Sequence, residues 1–84
     1  MYYVYVLESL RDRMFYVGYT GGLKKRVEKH NSGLVPATKE RQPLKIVYYE
    51  ACFNKDDAVK REKYLKTSWG KRFIKNRIRG YLTR

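Results

Sequence analysis

Residues 2–7, YYVYVL, are the part of the sequence that most restricts the fold. They are aromatic, β-branched or aliphatic on both of the alternating faces that a strand presents. Such a strand needs cover on both sides, which predicts a central position in a sheet. Residues 14–19 repeat this chemistry after a short polar segment, so the two predict a β-hairpin, although no Asn-Gly or Asp-Gly pair defines the turn.

The middle of the chain predicts a helix, a loop and a third strand. Thr20, Gly21 and Gly22 interrupt the second strand, and apolar residues then recur at helical spacing, which predicts a helix over residues 23–31. Residues 34–43 are basic and contain two prolines, so we expect an irregular loop that is a candidate for substrate contact. Residues 44–53 have the composition of a strand.

The C-terminal part predicts two further helices. Asn54 precedes two aspartates, which is typical of a helix N-terminus, and this helix should extend to about Thr67. Residues 69–79 predict a short basic helix that ends at Gly80. We therefore expect one α+β domain over residues 1–84, with a three-stranded antiparallel sheet flanked by helices in the order β-β-α-β-α-α and a basic helical segment at 69–84.

The charge indicates a polyanionic partner. There are 20 Lys and Arg against 8 Asp and Glu, a net charge of +12, and residues 55–84 carry eleven of these basic side chains but three of the acidic ones. A solvated, solubilising face is the alternative, but a charge this large favours nucleic acid. The expected contacts to phosphate are Lys39, Arg41, Lys63, Lys66, Lys71, Arg72, Lys75 and Arg77. A long stacking platform for single strands is not expected, because most tyrosines occupy core positions.

The single cysteine, Cys52, excludes an internal disulfide and a zinc site built on several cysteines. We expect a reducing, cytoplasmic setting, and we interpret Cys52 as a small core residue rather than a nucleophile. The longest apolar run is far shorter than the ~20 residues of a membrane span, so neither a membrane helix nor export is indicated.

Two polar residues lie on or beside helix stripes that should be apolar. Glu62 shares a stripe with Ala58, Leu65 and Trp69, where a carboxylate requires an ion pair, hydrogen bonds or a cation. An ion pair and a functional role are equally compatible with this pattern. His30 lies on or beside the apolar stripe of the first helix, and Arg26, one turn earlier, projects in the same direction. Taken alone, they would be a core histidine and a surface charge.

These residues occur together with two tyrosine tripeptides, Tyr3-Val4-Tyr5 and Tyr16-Val17-Gly18. In this order and spacing, with LKKRVEKHN at 23–31 and REKYLK at 61–66, the chain resembles the GIY-YIG nuclease family, and most closely the small bacterial proteins in which this domain stands alone. The resemblance covers nearly the whole chain. Tyr3 and Val4 replace the glycine and isoleucine of the first motif, and Tyr3 could crowd the site or help to build it.

The resemblance implies specific roles and an activity. Tyr5 and Tyr16 would be the paired catalytic tyrosines, Arg26 the phosphate-binding arginine, His30 an auxiliary residue and Glu62 the ligand of one divalent metal, Mg²⁺ or Mn²⁺. Asn76 is a candidate for a further polar position. The implied activity is metal-dependent endonucleolytic hydrolysis of DNA in a bacterial cytoplasm, with a role in DNA repair or processing.

Several points of this interpretation stay open. RNA is an alternative substrate to DNA, and a dimer that cuts both strands is an alternative to a monomer. A basic nucleic-acid binder without activity, ribosome-associated or a degenerate family member, explains the charge equally well, but it gives no reason for Glu62 on an apolar stripe. For Tyr5 to act as a base, we expect Arg26 and the metal to lower its pKa from the usual ~10.

Overall fold

The expected hairpin forms, and its first strand lies at the centre of the sheet. A computed structural model, which describes residues 1–84, has three strands: β1 at Tyr2–Ser9, β2 at Phe15–Thr20 and β3 at Leu44–Cys52. Both pairings are antiparallel and the order is β2-β1-β3, so the YYVYVL segment is central, as predicted. Tyr5 pairs with Gly18 on β2 and with Tyr49 on β3, which places these three residues in one row across the sheet.

The first helix has the predicted bounds, but the loop after it is more ordered than expected. Helix α1 spans Leu23–Asn31, and a 3₁₀ helix spans Pro36–Arg41 where we expected irregular chain. Pro36 at the first helical position explains the difference, because its fixed φ favours a helical turn. Asn31 then joins α1 to the start of β3: its amide donates to the Leu44 carbonyl at 2.8 Å and accepts from the Leu44 N–H at 2.7 Å.

Helix α2 spans Lys55–Leu65 and begins as predicted. The Asn54 side chain accepts from the backbone N–H groups of Asp56, at 2.8 Å, and Asp57, at 3.3 Å. The helix ends at Leu65, two residues before the predicted Thr67. The hydroxyl of Thr67 instead accepts from the Gly70 N–H at 3.1 Å and caps the next helix.

The C-terminus contains two helices where one was predicted. Helix α3 spans Ser68–Arg77 and α4 spans Arg79–Leu82, so Gly80 lies inside a helix instead of ending one. The last helix is attached to the sheet by Tyr81, whose hydroxyl donates to the buried carboxylate of Glu8 at 2.6 Å. No helix combines the length and the apolar character needed to cross a membrane.

Each face of the sheet has its own core. The face under α2 and α3 is formed by Val4, Val6, Val17, Ala58, Leu65 and Ile74. The opposite face, under α1, is formed by Tyr5, Leu7 and Leu44, with Leu23 and Val27 packed against them. The sequence prediction for Trp69 is wrong: its side chain is 68% exposed, because the chain turns into α3 before that position. Cys52 is half-buried at the edge of the first core, as expected for a small core residue.

Candidate active site

Tyr5 lies at the centre of the candidate site. It is 1% exposed, and its ring extends from β1 across Gly18 on the neighbouring strand. A Cβ atom at position 18 would lie 2.5 Å from the Tyr5 hydroxyl oxygen and 2.7 Å from the adjacent ring carbon. Gly18 is therefore required for this placement of the phenol, because any side chain there would occupy the volume of the ring.

His30, completely buried on α1, connects Tyr5 to the 3₁₀ helix. Its Nε2 lies 2.8 Å from the Tyr5 hydroxyl, and its Nδ1 lies 2.7 Å from the Thr38 hydroxyl, which is also completely buried. The Thr38 hydroxyl donates to the Val35 carbonyl at 3.5 Å, so it accepts from a proton on Nδ1. Nε2 is then the acceptor, and the Tyr5 hydroxyl donates to it. This assignment follows from the hydrogen-bond network.

The environment of His30 favours its neutral form. Burial, and secondly the positive charge of Arg26, lower the pKa of His30 from 6.5 to about 4. At neutral pH the imidazole therefore has a free lone pair directed at the Tyr5 proton. Thr38 was not among the residues singled out in the sequence, since nothing in the residue pattern connects a loop threonine with a histidine eight positions earlier.

Arg26 contacts Tyr5 from the solvent side. Its Nε donates to the Tyr5 hydroxyl at 3.4 Å, and the guanidinium is half-buried. The pKa of Tyr5 is nevertheless raised above 10.0, mainly because burial disfavours the phenolate, although the hydrogen bond and charge of Arg26 act in the opposite direction. Burial thus outweighs the guanidinium, so Arg26 alone does not lower the pKa of Tyr5.

Tyr16 completes the aromatic part of the site. It lies half-buried on β2, and its ring centroid is 5.1 Å from that of His30 at an interplanar angle of 62°. Tyr3, which replaces the motif glycine, does not crowd this cluster. Its ring packs edge-on against Tyr49 of β3, with centroids 6.1 Å apart, on the opposite side of β1 from Gly18.

Glu62 approaches the site from the other face of the sheet, near the edge formed by β2. Its side chain is 15% exposed and its Oε2 lies 3.1 Å from the ammonium of Lys66, one turn further along α2. Lys66 lines a cleft beside β2 together with Tyr16 and Val17, so Glu62 lies on the β2 side of its helix. The negative charge of Glu62 is also one of the causes that raise the pKa of Tyr5, after burial and Tyr16.

Comparisons with known proteins show the family of the chain. The family model described as the GIY-YIG catalytic domain matches residues 1–81. The chain belongs to the GIY-YIG family. It is 43% identical over 67 residues to a UPF0213 protein of Clostridium perfringens, covering 79% of this chain and 71% of the relative. It is 38% identical over 77 residues to a UPF0213 protein of Pediococcus acidilactici, covering 88% and 78%. No solved structure matches the chain.

Membership gives the domain a nuclease-type character, and GIY-YIG nucleases generally use divalent metal ions. In this GIY-YIG chain no group of three or more His, Cys, Asp or Glu side chains is placed to hold a metal. Glu62 fits a cation that needs few protein ligands: it is a sparsely exposed carboxylate with one protein partner, a lysine that is itself half-exposed. Mg²⁺ is commonly held by one or two carboxylates, with waters and phosphate oxygens as the remaining ligands.

The eight basic residues of this GIY-YIG domain that were predicted to contact phosphate divide into three groups. Lys66, Lys71 and Lys75 line the cleft beside Tyr16, close to the candidate site. The other exposed candidates lie outside that cleft: Lys39, Lys63, Arg72 and Arg77. The guanidinium of Arg41, at the surface, pairs with Asp12 at 3.0 Å and donates to the Met14 carbonyl at 3.0 Å. The expected role of Arg41 as a phosphate contact stays a prediction.

Three basic residues near the site were not singled out in the sequence. Lys25 and Lys29 share a second surface depression with Arg26, and Arg13 lies at the rim of the cleft beside Tyr16. Lys25 and Lys29 are four residues apart on the same helix as Arg26, a spacing from which they could have been found. Asn76 is exposed and its side-chain oxygen accepts from Arg79 at 2.8 Å, and its role as a further polar position stays a prediction.

Proposed function

We propose that this GIY-YIG protein is a metal-dependent endonuclease that hydrolyses DNA phosphodiester bonds, with Tyr5, Tyr16, Arg26, His30 and Glu62 as its catalytic residues. The observation that carries the proposal is the position of the Tyr5 hydroxyl, 2.8 Å from His30 Nε2 and 3.4 Å from Arg26 Nε. A phenol held between a neutral proton acceptor and a guanidinium is suited to proton transfer beside a phosphate.

The proton path follows from the hydrogen bonds. Tyr5 is protonated at neutral pH, so it accepts a proton from the attacking water only as its own proton passes to His30 Nε2. The resulting imidazolium still donates its Nδ1 proton to the Thr38 hydroxyl. The hydroxide formed from the water attacks phosphorus, the bond from phosphorus to the 3′ oxygen breaks, and that oxygen is protonated from solvent. The network thus uses Tyr5 as a base without a free phenolate.

Arg26 and Glu62 would act on the charge of the phosphate. Arg26 contacts Tyr5 through Nε, which leaves its two terminal nitrogens for the bidentate, charge-assisted contact that lysine cannot make. Glu62 would hold the divalent ion, Mg²⁺ or Mn²⁺, which supplies Lewis-acid stabilisation of the phosphate and of the leaving oxygen. Lys25 and Lys29, beside Arg26, extend the positive surface along which the strand would lie.

The second candidate function is a nucleic-acid binder without catalytic activity. The Glu62–Lys66 ion pair is the observation that favours it, because the pair gives the carboxylate a structural partner. Lys66 is 51% exposed, so its ammonium can return to solvent when a cation takes its place beside Glu62. A binder also has no use for the buried network of Tyr5, His30 and Thr38.

A plasmid-nicking assay distinguishes the two functions. We expect nicking with Mg²⁺ or Mn²⁺, none with EDTA, and a loss of about 100-fold or more in Glu62→Gln. Glu28→Gln, which removes one carboxylate from an exposed position of α1, is the matched control and should keep full activity. Binding of DNA without metal-dependent nicking in the wild type would establish the binder instead.

The setting of this activity is part of the same proposal. We propose DNA repair or processing in a bacterial cytoplasm, with DNA as substrate and a monomer as the active form; a +12 chain and bacterial relatives support that choice. Cleavage of RNA oligonucleotides at a rate equal to DNA, or an active dimer in solution, would contradict it.

A further inference from the structure

The cleft beside Tyr16 has a mixed character that the proposed hydrolysis does not use. It encloses about 600 Å³ between the edge of β2 and helices α2, α3 and α4. Its apolar lining consists of Met14, Phe15, Val17, Leu65, Ile74 and Leu82. Its rim is formed by four exposed basic residues, Arg13, Lys66, Lys71 and Lys75.

An apolar floor inside a cationic rim matches the chemistry of a nucleotide. The flat faces of a base are apolar and bury well against aliphatic and aromatic side chains, while the adjoining phosphates need positive charge. The volume is within the range of about 300–1,000 Å³ that is usual for small-ligand sites. Tyr16, on the edge strand β2, lines this cleft and also packs against His30 on the opposite face of the sheet, so the cleft and the candidate active site meet at the β2 edge, on the side from which Glu62 approaches.

We propose that this cleft holds one unpaired nucleobase next to the scissile phosphate. This proposal rests on the proposed nuclease function and specifies its substrate, which is DNA with an unpaired nucleotide at the cleavage position. In a duplex the faces of each base are covered by its neighbours, so only an unstacked base can occupy the apolar floor. A single such subsite differs from the long stacking platform that the sequence argued against.

Arg13 contributes one of the positive charges of the rim. It lies in the turn between β1 and β2 with a φ of 62°, the left-handed region that glycine and asparagine occupy more easily. An arginine held there is unfavourable for the backbone of the turn. Its side chain lies at the entrance of the cleft, where it can contact a phosphate.

The test compares two duplex probes that differ by one unpaired 2-aminopurine, with EDTA present so that binding is measured without cleavage. For the wild-type protein we expect the bulged probe to bind about tenfold more tightly, the size typical of stacking one base on protein side chains. This preference should persist as salt is raised, although both affinities fall, because the two probes share nearly the same phosphates.

Two leucine variants locate the base. Leu82→Asn removes apolar lining from the cleft and should abolish the preference, whereas Leu34→Asn makes the same change at an exposed leucine outside the cleft and should keep it. Arg13→Gly should weaken the binding of both probes equally, lower the salt dependence by about one phosphate contact, and leave the melting temperature unchanged or higher.

Equal affinities of the wild type for the two probes, or an unchanged preference in Leu82→Asn, would overturn the subsite. Because the probes are read without metal, the result is independent of nicking. A preference that depends on Leu82 in a protein that never nicks DNA would refute the nuclease and keep the subsite. Nicking by a protein that binds both probes equally would keep the nuclease and refute the subsite.

Discussion

The two faces of the central sheet bury different kinds of side chain. Under α2 and α3 the completely buried side chains of the core are aliphatic, among them Val6, Ala58 and Leu65. Under α1 the completely buried groups include His30 and Thr38, which join Tyr5 in a hydrogen-bonded network. Apolar packing supplies stability without a required polar partner, whereas the buried network is stable only while every member is satisfied. We therefore expect substitutions on the first face to affect folding and on the second to affect catalysis.

The largest effect on the α1 face should come from Tyr5→Phe. Loss of the hydroxyl removes the proposed base and leaves His30 Nε2 without its partner, so the nicking rate should fall by about 100-fold or more while DNA affinity stays within a few-fold. Tyr49→Phe is the control, because Tyr49 lies opposite Tyr5 on β3 and is 55% exposed. Full nicking activity in Tyr5→Phe would remove Tyr5 from the mechanism.

On the other face, Gly70→Ala should have the largest effect on folding. An added Cβ would lie 2.2 Å from the Tyr64 carbonyl oxygen and 2.3 Å from the Leu65 Cα, both backbone atoms at the corner between α2 and α3. We expect a loss of about 3 kcal/mol in the free energy of unfolding, measured by urea denaturation. Gly80→Ala meets no atom within 4 Å and should be neutral or stabilising by up to about 1 kcal/mol. Equal stability of the two variants would contradict the close packing at this corner.

The titration of His30 provides a third test, because it should make the contribution of the α1 face to stability depend on pH. Its pKa in the folded protein, about 4, lies below the unfolded value of 6.5, so between these values the unfolded chain binds more protons. Stability is thus complete above pH 6.5 and is lost as the pH falls toward 4, by roughly 3 kcal/mol from this group. Urea denaturation across this window should show the loss in the wild type and a flatter dependence in His30→Gln. Identical pH dependence of the two proteins would show that His30 is not buried in its neutral form.

The smallest effect concerns Thr38, which positions His30 without touching substrate. Thr38→Val keeps the shape but removes the acceptor for Nδ1–H, so Nε2 is no longer fixed as the proton acceptor, and nicking should slow by about tenfold. Thr38→Ser restores a hydroxyl and should recover most of the rate. The pH dependence of nicking should shift in the valine variant and return in the serine variant. A valine variant with the wild-type rate and pH profile would leave Thr38 with a purely structural role.

The sequence predicted local structure better than long-range contacts. The bounds of α1, the Asn54 cap and the central position of β1 follow from residue types within a few positions of each other, so they could be read directly. The exposure of Trp69 could not, because one change of direction after Leu65 rotates every later residue out of the expected stripe.

The candidate site shows the same division. Because Arg26 and His30 are four residues apart on α1, the sequence already predicted that they project together, and the family resemblance placed Tyr5 in the same site. The role of Thr38 depends on how the 3₁₀ helix folds back over α1, and the engagement of Arg41 depends on a turn some 29 residues away. Such contacts have no periodicity in the sequence from which they could be inferred.

The rotation of α2 about its own axis is determined at β3. Arg61 donates to both oxygens of Glu50, at 2.8 and 2.9 Å, and its guanidinium also lies 4.7 Å from the ring centroid of Phe73. Consecutive residues of an α-helix are about 100° apart around the axis, so fixing Arg61 toward β3 leaves Glu62 directed toward β2. The direction in which Glu62 projects from α2 is therefore determined by Arg61, the preceding residue, which points to a different strand.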